Sequence, residues 1–129
     1  MREVTVKEIV ILNPCYQYTE EYVGKLFNGQ ETVSIQYILD SPISKLDKIW
    51  IIDKTGLITE DQHSKIHSSI MGLVPADSAY AEKFATARIW EYAPICIYLR
   101  NLNNQTTDEV VKTIDDKIIA EIMEISSAN

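Results

Sequence analysis

The C-terminal part of the chain carries the pattern that most restricts its fold. Apolar residues recur there three or four positions apart, which is the spacing of one face of an α-helix. Thr106 and Glu109 precede them at the spacing of a capping box, in which each side chain bonds the backbone of the other residue. The pattern therefore predicts a long amphipathic helix that needs a core to pack against. Its apolar stripe consists of Val111, Ile114, Ile118, Ile122 and Ile125.

Start and stop signals predict further helices in the first half of the chain. Thr19 precedes two acidic residues and helically spaced apolar residues, and the run stops at 28–29, an Asn-Gly pair. A short helical segment follows over 34–40. Ser41 and Pro42 then predict the entry to a third helix, because proline loses no needed hydrogen bond at the first helical position.

Similar signals predict two helices in the second half. Gly56 ends the third helix, and Thr59 with Gln62 forms another capping box that starts the next one. The stretch 79–93 places small and aromatic residues on nearly every face, which is typical of a central, buried helix. We expect Pro94 to kink or end this helix.

Three short apolar segments fit either a helix or a strand. Residues 4–12 alternate in the manner of a strand, yet Thr5 and Glu8 also fit a capping box. Residues 48–53 are short enough for a buried strand, although their neighbours favour a helix, and residues 95–99 fit both. The sequence predicts a mainly α fold, a compact multi-helical domain with at most a small β element at 4–12 or 95–99.

Length, composition and charge predict one domain and exclude several partners. The 129 residues fall within the usual size of one domain, and no linker divides 1–129. A net charge of −7 disfavours binding to nucleic acid phosphates or anionic membranes. No stretch has the length of a membrane span or secretion signal, so we expect a cytoplasmic protein. Cys15 and Cys96 are expected to be free, buried thiols there.

Glu60, His63 and His67 form the most ligand-like grouping in the sequence. On a helix they occupy positions i, i+3 and i+7 and share one face, which suits zinc or iron. The grouping departs from the metalloprotease motif because Ser64, not glutamate, follows the first histidine. A solvated polar face explains the same spacing. We therefore expect no cofactor and no enzymatic activity, and keep a metal-dependent enzyme as an alternative.

Acidic residues gather at helix starts and along the last helix, and tyrosines lie beside the first group. Acids at helix N-termini stabilise the helix dipole, so their position alone has a structural explanation. An excess of acid also steers a basic protein toward its binding site, and tyrosine is frequent among the residues that dominate binding energy. The predicted partner-binding residues are Tyr16, Tyr18, Glu20, Glu21, Tyr22, Asp108, Glu109, Asp115 and Asp116.

Residues 14–58 resemble a helical immunity-protein family of bacterial and phage genomes. Members of that family have a cysteine that opens a helix, a glycine turn, a short helix and a helix with an Asp-x-x-Trp pattern. The resemblance implies an all-helical intracellular protein that neutralises a toxin, and it implies no catalytic residue. The matching residues are Pro14, Cys15, Phe27, Asn28, Gly29, Thr32, Ile38, Leu39, Asp47, Lys48, Ile49, Trp50, Gly56 and Leu57.

Three functions follow from these observations. The first is a small acidic binding protein, an immunity or inhibitor protein that neutralises a basic partner such as a toxin or nuclease. The second is the metal-dependent enzyme that uses Glu60, His63 and His67. The third is a structural or oligomerisation module in which the isoleucine stripe of the last helix pairs between chains. The sequence leaves the oligomeric state open.

Overall fold

A computed structural model of the protein describes residues 3–12, 18–76 and 78–128. Over these residues the fold is mainly α-helical, as predicted, with eight helices and a two-stranded antiparallel sheet. The elements are β1 (Val4–Thr5), α1 (Val6–Ile11), α2 (Glu20–Leu26), β2 (Thr32–Val33), α3 (Ile35–Asp40), α4 (Lys45–Lys54), α5 (Glu60–Met71), α6 (Ala79–Phe84), α7 (Ala93–Asn103) and α8 (Thr107–Ala128).

The structure resolves the three segments that the sequence left open. Both expectations for 4–12 are met, because Val4 pairs with Val33 in the small sheet and the capping box of Thr5 and Glu8 then starts α1. Residues 48–53 lie within α4. Residues 95–99 lie within α7, so the strand alternative for that segment is wrong.

Two predicted capping boxes begin the two helices that frame the later half of the fold. At α5, the backbone N–H of Gln62 donates to Thr59 Oγ1 over 3.1 Å, and the backbone N–H of Thr59 donates to Gln62 Oε1 over 2.8 Å. At α8, Thr106 and Glu109 make the same reciprocal pair, with distances of 3.1 and 3.2 Å. These contacts supply partners to backbone groups that the first helical turn leaves unpaired.

We expect Thr59→Ala to lower the free energy of unfolding by about 1 kcal/mol, because it removes the acceptor for the backbone N–H of Gln62. Urea unfolding followed by circular dichroism measures this loss. Thr59→Ser keeps the hydroxyl and is the matched control, and it should stay close to the wild type. Equal losses in the two variants would contradict a capping role for the hydroxyl.

The third predicted helix begins later than expected. Ser44 is the N-cap of α4, and its Oγ accepts from the backbone N–H of Asp47 over 3.2 Å. Ser41 instead caps the end of α3, where both its backbone N–H and its hydroxyl donate to the carbonyl of Ile38. Pro42 therefore lies in the connection between the two helices, and the prediction of a helix entry at Ser41 and Pro42 is wrong.

The stretch 79–93 does not form one helix. It is divided into α6, which ends at Phe84, and a turn-rich segment that precedes α7. Within that segment, the backbone N–H of Arg88 donates to Glu91 Oε1 over 3.0 Å, and the side chain of Arg88 reaches back to Asp53 on α4. Pro94 lies in the first turn of α7, so it helps to start a helix and does not end one.

The isoleucine stripe of α8 lies in the core of the protein. Ile114, Ile118 and Ile122 are fully buried, and α8 packs against α3, α4, α5 and α7. The centre of the stripe is therefore already covered within one chain, and pairing between chains through it would first require exposing the core. Cys96 is buried and free, as predicted, whereas Cys15 lies outside the described residues.

Candidate functional site

Two of the predicted partner-binding residues are buried and offer little surface to a partner. Tyr18 is 5% exposed, and its hydroxyl donates to Asp47 Oδ2 over 2.5 Å. Asp115 is 6% exposed and accepts a hydrogen bond from the hydroxyl of Tyr92. The physical reason for Asp115 is helical spacing, since it precedes Ile118 by three residues and so shares the buried face of α8. Tyr16 lies outside the described residues.

The buried Asp115 belongs to a polar pair inside the α7–α8 contact. Burial raises the pKa of Asp115, while the hydrogen bond from Tyr92 opposes that shift. Burial and the neighbouring carboxylate raise the pKa of Tyr92. They also raise the pKa of the Cys96 thiol to about 11. The hydrogen bond between Tyr92 and Asp115 joins the start of α7 to α8, and Cys96 at neutral pH is a protonated thiol with low nucleophilicity.

The exposed members of the predicted set are connected through the first turn of α4. The ring of Tyr22 packs on the ring of Tyr18, with centroids 5.7 Å apart, and Tyr18 bonds to Asp47 of α4. Two residues before Asp47, Lys45 forms an ion pair with Asp116 of α8. The turn thus joins the start of α2 to the middle of α8.

We call the resulting surface the acidic edge and define it by Glu20, Glu21, Tyr22, Leu46 and Asp116. Its two exposed apolar side chains are Tyr22, which is 38% exposed, and Leu46, which is 40% exposed. Leu46 belongs to the first turn of α4, beside Lys45 and Asp47. Sequence reasoning missed Leu46, because a leucine inside a helical repeat usually points to the core.

The carboxylates of the acidic edge differ in how far nearby lysines compensate their charge. Asp116 accepts from Lys45 and from Lys112, and these bonds lower its pKa. Glu21 lies 3.5 Å from Lys25, in an exposed pair. Glu20 is exposed and has no ion pair within the described part of the chain. A basic partner therefore meets Glu20 with its charge uncompensated, whereas lysines already offset much of the charge of Asp116.

The start of α8 extends this acidic surface. Glu109 and Asp116 are seven residues apart, nearly two helical turns, so they lie on one stripe about 10 Å apart along the axis. Hydrogen bonds from Thr106 lower the pKa of Glu109, which keeps its charge while it caps the helix. Asp108 is exposed and, like Glu20, forms no ion pair with any residue that the structure describes.

The second predicted grouping, on α5, is engaged in structural contacts. The backbone N–H of Ile89 donates to His63 Nε2 over 3.1 Å, and this histidine is 6% exposed. His67 Nε2 is 2.8 Å from the carbonyl oxygen of Phe84, to which it donates, and its ring stacks on the Phe84 ring at 4.7 Å. Glu60 pairs with Arg88 over 3.0 Å. All three side chains therefore hold the segment between α6 and α7 against α5.

Arg88 is the centre of this arrangement. Its Nε and Nη2 donate to the two carboxylate oxygens of Asp53, over 2.9 and 2.5 Å, and Trp90 Nε1 donates to the same carboxylate over 3.0 Å. The side chain of Asp53 is 1% exposed. The hydrogen bond and charge of Arg88 lower the pKa of Glu60, and burial lowers the pKa of His63.

Sequence reasoning missed Asp53, Arg88 and Trp90. Asp53 and Arg88 are 35 residues apart in the chain, and neither belongs to a local motif. The sequence contained one signal for Asp53, which falls on the apolar face of α4. A charged residue at such a core position requires a partner.

An open cleft of about 340 Å³ lies beside Glu60, His63, His67 and Arg88. Ser64, Ser68 and Thr86 also line it. Among residues 3–12, 18–76 and 78–128, no three His, Cys, Asp or Glu side chains are placed to hold a metal ion. Because the Nε2 atoms of both histidines bond the backbone and Glu60 pairs with an arginine, the geometry does not favour the metal-dependent alternative.

Comparisons with known proteins do not assign this protein to a class. Family models, curated proteins and solved structures were each compared with the chain, and none matches it. Within the described residues, no helix combines the length and apolar character needed to cross a membrane. The structure itself defines a mainly α protein that carries an acidic surface with two exposed apolar side chains.

Proposed function

We propose that this chain is an acidic cytoplasmic binding protein that docks a basic protein through the acidic edge. Its role would be that of an immunity or inhibitor protein, which neutralises a toxin or nuclease by covering it. The observation that carries the proposal is the position of Tyr22 and Leu46. They are exposed apolar side chains, and the contacts of Tyr18 with Tyr22 and Asp47, together with the ion pair of Lys45 and Asp116, link their helices to the acidic residues of α2 and α8.

This composition matches the anatomy of protein interfaces. A few buried aromatic or aliphatic anchors supply most of the binding energy, and a polar rim around them excludes water. Tyr22 is suited to be such an anchor, since its ring is already supported by the ring of Tyr18. Glu20 supplies an uncompensated negative charge at the rim, which raises the rate of encounter with a basic surface.

The family resemblance supports the same proposal. The stretch 14–58 that resembles the immunity-protein family contains α2, α3 and α4, and therefore most of the acidic edge. Only Asp116 comes from outside it. A binding role also fits the arrangement on α5, because the side chains there hold the fold together.

The test is to recover the partner from the native host and to measure its affinity for surface variants. We expect a basic protein in near-stoichiometric amount. Tyr22→Ala with Leu46→Ala should weaken its binding at least ten-fold, as expected for the loss of an interface anchor. Glu20→Lys should slow association and reduce its salt dependence.

A control variant separates the acidic edge from the overall charge of the protein. Glu82→Lys with Ile97→Ala changes an exposed acid on α6 and an exposed apolar residue on α7. This variant should bind like the wild type. Recovery of no basic partner under several growth conditions would refute the proposed function, and equal affinities in all variants would refute the acidic edge as its site.

A further inference from the structure

A second surface, separate from the acidic edge, lies between α5 and the C-terminal half of α8. It is a groove of about 270 Å³, several times the roughly 30 Å³ that one water molecule occupies in the liquid. The acidic edge uses the side of α8 that faces α4, through Asp116 and Lys45, whereas the groove uses the side that faces α5. The residues that line it are Gln62, Lys65, Ile66, Glu121, Glu124, Ile125 and Ala128.

The wall of this groove contains the carboxylate of Glu121, in which one oxygen accepts a hydrogen bond and the other does not. Glu121 Oε1 accepts from the hydroxyl of Ser69 over 2.7 Å. Glu121 Oε2 is shielded from solvent, and within the described ranges no donor reaches it. A buried acceptor without a donor is costly, and it is more costly when it carries charge. One acceptor of Glu121 is therefore left without a donor, and a donor in the groove can reach it once the side chain turns toward the groove.

The other lining groups restrict which donor fits. Glu124 is exposed and adds a second negative charge, and Lys65 adds one positive charge, so the three charged side chains leave the groove at −1. In the part of the chain that the structure describes, Lys65 makes no ion pair with Glu121 or Glu124. Ile66 and Ile125 add apolar surface at the same place.

We propose that this groove binds an aliphatic primary ammonium group. Its three N–H donors can satisfy Glu121 Oε2 and also approach Glu124, and its methylene chain can lie against Ile66 and Ile125. A single positive charge balances the net charge of the groove. The same chemistry occurs in a free alkylamine and in the lysine side chain of a polypeptide.

Backbone amide NMR of the 14.7 kDa protein tests this site with n-butylammonium chloride as the probe. Tetramethylammonium chloride at the same concentration is the control, because it has the same charge and no N–H donor. We expect saturable shifts confined to residues 62–69 and 121–128, with a Kd on the order of 1–10 mM for so small a ligand. Shifts that do not saturate, or that tetramethylammonium reproduces, would overturn the proposal.

Two charge variants should change the affinity in opposite directions. Glu121→Gln removes the accepting charge and should raise the Kd at least ten-fold, whereas Lys65→Gln removes the competing cation and should lower it severalfold. A general disturbance of the groove would weaken both. Glu82→Gln, on α6, is the matched control and should leave the Kd unchanged. Unaltered binding by Glu121→Gln would also refute the site.

A second ligand distinguishes the two sources of the ammonium group. N-acetyl-lysine methylamide carries the same butylammonium chain on a peptide-like frame. If it binds as tightly as n-butylammonium or more tightly, the groove accepts a lysine side chain of a polypeptide. If it binds ten-fold more weakly, the groove accepts a free alkylamine.

Discussion

Replacing Arg88 by alanine should lower the free energy of unfolding by about 3 kcal/mol. Arg88 supplies two of the three hydrogen bonds that reach the carboxylate of Asp53 and the only countercharge that pairs with it among the described residues. In the variant, Asp53 stays buried with only Trp90 Nε1 as a donor. Removing one partner of a buried pair typically costs 3–5 kcal/mol, and the lower end applies because the side chain of Arg88 is 33% exposed. Urea unfolding at pH 7 measures the loss.

Two further variants show whether the uncompensated charge causes this loss. Lys112→Ala removes an ion pair with Asp116 that is exposed to solvent, and it should cost no more than about 0.5 kcal/mol. Adding Asp53→Asn to Arg88→Ala should restore part of the stability, since a neutral amide needs no countercharge. If the double variant is less stable than Arg88→Ala alone, the explanation by a buried charge is wrong.

The sequence could predict those parts of the fold that depend on residues close together in the chain. The capping boxes at Thr59 and Thr106 involve residues three positions apart, so the information lies within one turn of helix. The amphipathic stripe of α8 is local in the same sense. Such features depend on neighbouring residues only, and the structure confirms them.

The break between α6 and α7 depends on distant residues and could not be predicted in the same way. The stretch 79–93 has acceptable helical propensity throughout, and its continuation as one helix would be reasonable in isolation. The segment is instead held open by contacts from Arg88 to Asp53 and from Ile89 to His63, across 35 and 26 residues of sequence. Tertiary contacts here override local propensity.

The candidate site shows a similar division. Local composition predicts Glu20, Glu21 and Tyr22 as partner-binding residues, and all three are exposed at the start of α2. The burial of Asp115 could have been inferred, because Asp115 lies at helical spacing from Ile118. A prediction based on charge alone does not take this spacing into account. The contribution of α4 to the acidic edge could not have been inferred, since it depends on where the tertiary structure places Lys45 and its neighbours relative to α2 and α8.

The stability of the wild type should fall as the pH is lowered from 7.5 to 5.5, and His63→Gln should reduce this dependence. His63 accepts from the backbone N–H of Ile89 through Nε2, so the folded state requires the neutral ring. Protonation would place a proton on the accepting atom and a charge in a buried site. Burial accordingly lowers the pKa of His63, although the carboxylates of Asp53 and Glu60 act in the opposite direction.

The direction of the effect follows from proton binding in the two states. Above the unfolded-state pKa of histidine, about 6.5, both states carry a neutral His63 and the stability is fully present. Below pH 6.5, the unfolded state binds a proton at His63 and the folded state does not, so the free energy of unfolding decreases. The decrease stops once the pH is below the lowered pKa of His63 in the folded protein. For one proton the slope approaches about 1.4 kcal/mol per pH unit.

Urea unfolding at pH 7.5, 6.5 and 5.5 distinguishes this cause from other acid effects, because these values lie above the range in which ordinary carboxylates titrate, and the raised pKa of Asp115 acts in the opposite direction. Glutamine at position 63 offers Oε1 as an acceptor for Ile89 without titrating, so His63→Gln should give a flatter profile. Ser64→Ala, at the exposed neighbouring position, should keep the wild-type profile. If His63→Gln loses stability with pH as steeply as the wild type, His63 is not the group responsible. If it does flatten the profile, the histidine that resembled a metal ligand acts by fixing the segment that joins α6 to α7.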